Sequence, residues 1–249
     1  MMTDENKKIS RLIYGLADSP TALICNAYDF LGMHAPCTDW NIRCATPYLT
    51  PMVGMAITIK LWCGIPDETY RPEPSHRDSS LYYEMIERAE KTGVPNVAVI
   101  QSMGEKQCGA VLGDGMAKSM VATGIVGCVT DGAARDLDGI EKAGLALFCG
   151  GMVQNHYALH WAELGAPVVI GGVTIKTGDI IHGDRDGIIT LPEAGWGRVI
   201  EACRLTQDFE KAAHVVFRRR DMTQSEIQSE VDKLAERYGG YITALKDEF

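Results

Sequence analysis

No stretch of this sequence reaches the ~18–20 consecutive apolar residues of a membrane-spanning helix, although hydrophobic residues make up 46% of the chain. The opening segment, MMTDENKKISRLIYGL, is polar and then amphipathic. It lacks the apolar core of about 7–15 residues that a secretory signal carries. A cytoplasmic protein with no membrane partner is expected. Positive charge is scarce as well, with 24 Lys and Arg against 33 Asp and Glu and a formal net charge of −9. A nucleic-acid surface needs clustered positive charge, so no nucleic-acid partner is expected. The one basic run, Arg218-Arg219-Arg220, falls in a helical pattern and reads as a solvated face. The eight cysteines include no CxxC pair and no zinc-ribbon spacing. Cys63, Cys128 and Cys149 lie in apolar runs, as reduced core thiols do. Pro/Ser/Gly-rich linkers, low-complexity stretches and internal repeats are missing too, so one large core is expected of the 249 residues, with two domains as the alternative.

What is present is an alternation of helix and strand signals. Residues 5–16 and about 20–32 read as helices, the second opened by Asp18, Ser19 and Pro20 as cap signals. Residues 33–50 have no clear period and read as loop. MVGMAITIKLW (52–62) alternates as a strand, and SSLYYEMIERAEK (79–91) has helical spacing closed by Gly93. NVAVIQ (96–101), CGAVLG, IVGCVT and LALFCG read as short apolar strands. Helices are expected over about 115–123 and over DLDGIEKAG. APVVIGGVTIKTGDIIHGDRDGIITLP breaks into short strands at Gly/Asp turns, a meander in which HGDRDG (182–187) is a turn. From Pro192 the pattern is helical, with a break near Arg220–Thr223. The sum is a mixed-sheet α/β domain with a helical C-terminal appendage.

One feature asks for more than packing. In TDGAARDLDG (130–139), Arg135 and Asp136 stand side by side just after a core strand. If GAVL and IVGCV are joined by the helix GMAKSMVAT into a βαβ unit, the two strands are parallel and both end on one sheet edge. The loop Gly113-Asp114-Gly115 then neighbours Asp131–Asp136, at the edge where open α/β sheets bind ligands. Gly113 and Gly115 let backbone approach a ligand, and the helix start offers free N–H groups to a carboxylate or phosphate. Arg135 brings a planar donor fork. Asp136 and Asp114 bring oxygen ligands for a hard cation such as Mg²⁺, which keeps waters and substrate in its other positions. A plain turn and a helix-capping salt bridge would use the same residues.

VLGDGMAKSMVATGIVGCVTDGAARDLDGI (111–140) resembles the signature of the RraA-like family, which includes 4-hydroxy-4-methyl-2-oxoglutarate / 4-carboxy-4-hydroxy-2-oxoadipate aldolases and the regulator of ribonuclease E activity. Weaker similarity in NAYDFLG, DSSLYYEMIERAEKTGVPNVAVI and TGDIIHGDRDGIITLP extends the resemblance over roughly residues 20–192. It implies an αββα sandwich of the RraA-like (swivelling β/β/α) type, assembled as homotrimers or hexamers with sites between subunits. It implies a catalytic domain over 1–192, N-terminal helices included, and a helical extension over 193–249 packing on that domain or on a neighbouring subunit.

The activity implied is that of a class II pyruvate aldolase acting on a small 2-oxo acid with Mg²⁺ (or Mn²⁺). Asp136 matches the metal-binding aspartate, Arg135 the arginine on the oxo-acid oxygens, and Gly113, Asp114, Gly115 and Met116 the loop whose amides receive the carboxylate. Asp114 falls near the metal and its waters, where it backs a water as candidate base. Oxaloacetate decarboxylation would share the same enolate. Two other functions fit the same residues: a non-catalytic regulatory binding protein, and a lyase of this fold for a different hydroxy-acid. The second is raised by FCGGMVQNHYALH (148–160), which replaces the family's FARG-T-P-like stretch. Within it His156 and His160 stand four apart, a helix-face spacing for zinc, but without the glutamate of HExxH or a third ligand. Substrate contact or packing is the expectation for them, and His34, His76 and His182 show no companion pattern.

Overall fold

A computed structural model describes residues 3–64, 79–103 and 109–245, so His76 lies outside the described residues. The chain divides into two compact units, one built from residues 1–17 and 36–190, the other from 18–35 and 191–249.

The first unit holds helix α1 (Asp4–Leu16), the short strand β1 (Arg43–Cys44) and the long strand β2 (Met52–Gly64). Next come helix α3 (Ser80–Thr92) and strand β3 (Asn96–Ser102), then strand β4 (Ala110–Leu112), helix α4 (Asp114–Ala122) and strand β5 (Ile125–Thr130). Strand β6 (Ala133–Ala134), helix α5 (Leu137–Ala143) and strands β7 (Ala146–Cys149), β8 (Gly151–Met152) and β9 (Ala158–Leu164) follow. Strands β10 (Val168–Ile170), β11 (Val173–Ile175), β12 (Ile180–Asp184) and β13 (Gly187–Leu191) end the unit. Gly93 closes α3 in the left-handed region at φ 70°, the conformation a residue without Cβ adopts at no steric cost.

The main sheet runs β1-β7-β5-β3-β2-β12-β13, with β9 paired to the distal half of β2. Its centre is parallel, β2 with β3, β3 with β5 and β5 with β7, while β12 and β9 run antiparallel to β2. Strand β3 is buried along nearly its whole length because both of its faces are covered. Ala98 and Ile100 point to a core shared with Met85 and Ala89 of α3, Ala117 and Met120 of α4 and Ile140 of α5. Val97 and Val99 point the other way, to a core with Phe148, Val168, Ile170, Ile175, Ile181 and Ile188. The strand period of two thus splits one apolar run between a helical layer and a layer of hairpins.

In the second unit, helix α2 (Thr21–Phe30) packs with α6 (Val199–Phe217) and α7 (Gln224–Thr243). Phe30 meets Phe209 edge-on at 5.6 Å, and Tyr28 donates its hydroxyl to the Pro192 carbonyl at 3.2 Å. The early helix therefore belongs to the same unit as the tail, a grouping that a contiguous division at 192 does not express. Asp18 and Ser19 do not cap α2. Pro20 holds the cap position with no side-chain hydrogen bond, since its fixed φ already suits a helix start. Residues Arg218–Arg220 are exposed and lie beyond the end of α6, not within it. α7 opens on a capping box between Thr223 and Glu226.

Candidate active site

The site rests on a second, small parallel sheet of order β4-β6-β8. This corrects the βαβ expectation, in which β4 and β5 share a sheet. Strand β5 pairs with β3 and β7 instead, and a turn at Asp131-Gly132 carries the chain into β6, the actual partner of β4. The turn is held by Thr130, whose hydroxyl accepts from the Gly132 N–H at 3.0 Å, and by Asp131, whose carboxylate accepts from the Ser102 N–H at 2.8 Å. The neighbourhood inferred from the sequence nevertheless forms. Ala134 lies opposite Leu112 and the Arg135 N–H donates to the Leu112 carbonyl at 3.0 Å, so Gly113–Met116 and Arg135–Asp136 leave one sheet end together.

Gly113 precedes the first residue of α4 in extended backbone. A Cβ there would stand 3.0 Å from Asp136 Oδ2 and 3.4 Å from Arg135 Nε, so glycine leaves the two side chains room to lie over the loop. Arg135 Nε and Asp136 Oδ2 are 3.3 Å apart with both side chains partly exposed. Asp136 caps α5 with φ 59°, a left-handed conformation rare outside glycine and tolerated best by Asp and Asn. The Arg135–Asp136 salt bridge therefore leaves both side chains partly exposed.

Lys118, one helical turn along α4, contacts the Asp114 carboxylate at 2.6 Å. That hydrogen bond, with the lysine's charge behind it, holds the Asp114 carboxyl below the usual carboxylate range. Gly139 of α5 makes its position possible, because a Cβ there would fall 2.5 Å from the Asp114 Cβ.

A cavity of about 290 Å³ is lined by Gly113 to Met116, Arg135, Asp136, His156 and Leu159, among others. A second hollow of about 530 Å³ is bordered by Asp114, Asp136, Leu137, Asp138 and Gly139. The first cavity collects every residue singled out from the loop and the Arg-Asp pair. Sequence reasoning missed Lys118 and Gly139 as partners of Asp114, although the i, i+4 spacing from Asp114 to Lys118 on a helix was a usable signal.

The helix that the spacing of His156 and His160 would need in order to present both to zinc does not form. His156 precedes β9 in irregular backbone and His160 lies within β9 opposite Trp62, because ALHWAEL pairs with the distal half of β2. The two rings share no helix face, and among the described residues no group of three His, Cys, Asp or Glu could hold a metal. His156 does reach the cavity, while His160 does not line it. No disulfide forms among the described residues, and Cys63, Cys128 and Cys149 are buried thiols. No described helix is long and apolar enough to cross a membrane.

The profile of the RraA-like family (Aldolase/RraA) matches residues 21–190. Protein DlpA of Legionella pneumophila is 29% identical over 153 residues, covering 59% of this chain and 25% of that protein. A Halalkalibacterium halodurans protein named "Putative 4-hydroxy-4-methyl-2-oxoglutarate aldolase" is 31% identical over 134 residues, covering 47% of this chain and 62% of its own length. The chain thus spans a quarter of the first relative and less than two thirds of the second. Among solved structures, RraAS2 of Streptomyces coelicolor, described as an unusual member of the RNase ES inhibitor RraA protein family, superposes with TM-score 0.65 at 20% identity. That alignment covers 86% of this chain and 99% of that one. A Pseudomonas syringae protein described as uncharacterized gives TM-score 0.67 at 24% identity over 92% and 96% of the two chains. Both likenesses concern the fold, a mixed α/β architecture with helices at the C-terminus.

Proposed function

This chain belongs to the RraA-like family, and from that premise we propose that it is a divalent-metal-dependent lyase releasing pyruvate from a 4-hydroxy-2-oxo acid. The observation that carries the reading is the β4–β6 pairing, which gathers a helix start, a guanidinium and two carboxylates around one cavity of about 290 Å³. The volume suits a small ligand near the lower end of ordinary sites.

The donor set fits Mg²⁺ or Mn²⁺. Asp136 and Asp114 are hard oxygen donors on the same cavity, and the bare Cα of Gly113 leaves space beside Asp136 Oδ2. Two carboxylates without a third protein ligand match an ion that keeps waters and takes substrate oxygens. When bound, such an ion supplies Lewis-acid polarisation of the oxo-acid oxygens.

The chain's own groups do the rest. The N–H groups at the start of α4, from Asp114 to Met116, receive the substrate carboxylate. Arg135 holds the keto oxygen. As the C3–C4 bond breaks, negative charge gathers on that oxygen, and Arg135 binds it more strongly in the transition state than in the substrate. Oxaloacetate loses its C4 carboxylate to the same enolate, so its decarboxylation is the expected side activity.

The test is pyruvate release, coupled to lactate dehydrogenase, over a panel of 4-hydroxy-2-oxo acids and oxaloacetate. The account expects turnover of at least one 4-hydroxy-2-oxo acid. Absence of pyruvate from every panel member would contradict it.

A further inference from the structure

Retro-aldol cleavage needs a group to take the C4 hydroxyl proton, and the Asp114 carboxylate is already engaged by the Lys118 ammonium at 2.6 Å. The remaining polar side chains of the cavity are Arg135, a fixed cation, Asp136, paired with it at 3.3 Å, and His156. We propose that His156 is the general base of the cleavage, accepting the C4 hydroxyl proton on Nε2. The proposal rests on the lyase reading of the same cavity.

The geometry at His156 defines which nitrogen is available. Nδ1 lies 2.6 Å from the Tyr157 carbonyl oxygen. A carbonyl only accepts, so Nδ1 carries the proton and donates it there. In the neutral ring Nε2 then bears the lone pair. The backbone around the ring is held from three directions. The Cys63 thiol donates to the His156 carbonyl at 3.2 Å, the Ala110 N–H donates to the Asn155 carbonyl at 2.7 Å, and the Tyr157 N–H donates to Asn155 Oδ1 at 3.2 Å. Ala110 begins β4, the strand that leads into Gly113, so the histidine is tied to the site's own sheet. Tyr157 has φ 43°, an unusual conformation for an aromatic residue. Such strain persists where surrounding contacts over-determine the backbone, often at functional positions.

The step balances without a co-reactant. The hydroxyl proton passes to Nε2, and the O–H electron pair becomes the second bond of the new C4 carbonyl. The C3–C4 pair shifts into a C2–C3 double bond, with negative charge on the keto oxygen facing Arg135. The proton on Nε2 then returns to C3, giving pyruvate and a neutral ring.

Oxaloacetate separates this role from a structural one, because it has no C4 hydroxyl and its decarboxylation needs no base there. In His156→Gln, kcat for 4-hydroxy-2-oxo acid cleavage is expected to fall about 10²–10⁴-fold, the usual worth of a positioned base. Oxaloacetate decarboxylation by the same variant, which loses only the return of a proton to C3 and not the abstraction at C4, is expected to fall at least about tenfold less than cleavage does. The proposal is overturned if the two activities fall together, or if cleavage is unaffected. A wild-type protein that cleaves no 4-hydroxy-2-oxo acid would overturn it as well, and that result, unlike the other two, also removes the lyase reading.

Discussion

Replacing Arg135 by alanine is expected to lower kcat/KM for pyruvate release by about 10²–10³-fold, the usual cost of removing one preorganised donor from a developing oxyanion. The loss should fall more on kcat than on KM, because the guanidinium contact strengthens as charge moves onto the keto oxygen. The fold should survive. The Arg135 side chain is 34% exposed, and the bond that ties this position to β4 is made by its backbone N–H. Arg135→Lys should recover only part of the activity, since an ammonium lacks the planar fork. Steady-state kinetics of both variants, with a thermal melt followed by circular dichroism, separate the outcomes. An unchanged kcat/KM in Arg135→Ala would remove the arginine from the chemistry.

The largest expected effect on stability is at Phe148. Its ring is fully buried in the core on the hairpin side of the main sheet. It sits so close to β12 that a Cβ on Gly183 would fall 2.9 Å from Phe148 Cζ. Phe148→Ala removes that ring from a core shared with Val129, Ile181 and Ile188, which fills the vacated space only in part. A loss of about 3–5 kcal/mol in unfolding free energy is expected from denaturant titration, a large fraction of the roughly 5–15 kcal/mol that holds a typical domain. A loss below about 1 kcal/mol would mean that the core collapses around the vacancy in a way the strand register does not suggest.

The elements with long apolar patterns were legible from the chain itself. Strand β3 announced itself because one sheet buried on both faces leaves an unbroken run such as NVAVIQ. The neighbourhood of Gly113 and Arg135 was legible for a similar reason, since each follows a buried strand. The pairing that produces it was not. Strands β6 and β8 are two residues each, Ala133-Ala134 and Gly151-Met152, too short for any periodicity to register. The local structure around His156 and His160 was not legible, because a spacing of four is compatible with a helix, whereas β9 forms through pairing with β2, about a hundred residues earlier in the chain. The ion pair of Asp114 with Lys118 was visible as a spacing but needed the observed helix start to acquire a meaning. The union of α2 with the C-terminal helices depends on contacts such as Phe30 with Phe209, which local pattern cannot reveal.

The central claim joins a cation at Asp136 to pyruvate release, and Asp136→Asn tests it most directly. Asparagine tolerates the left-handed backbone at this position (φ 59°) and keeps the side-chain shape, while removing the charge that a hard cation needs. Pyruvate release should be measured for wild type and variant after chelation with EDTA, and again after adding Mg²⁺ or Mn²⁺. The account predicts background rates for both proteins under chelation, with the added metal restoring wild type alone. Turnover that survives both chelation and the substitution would contradict it.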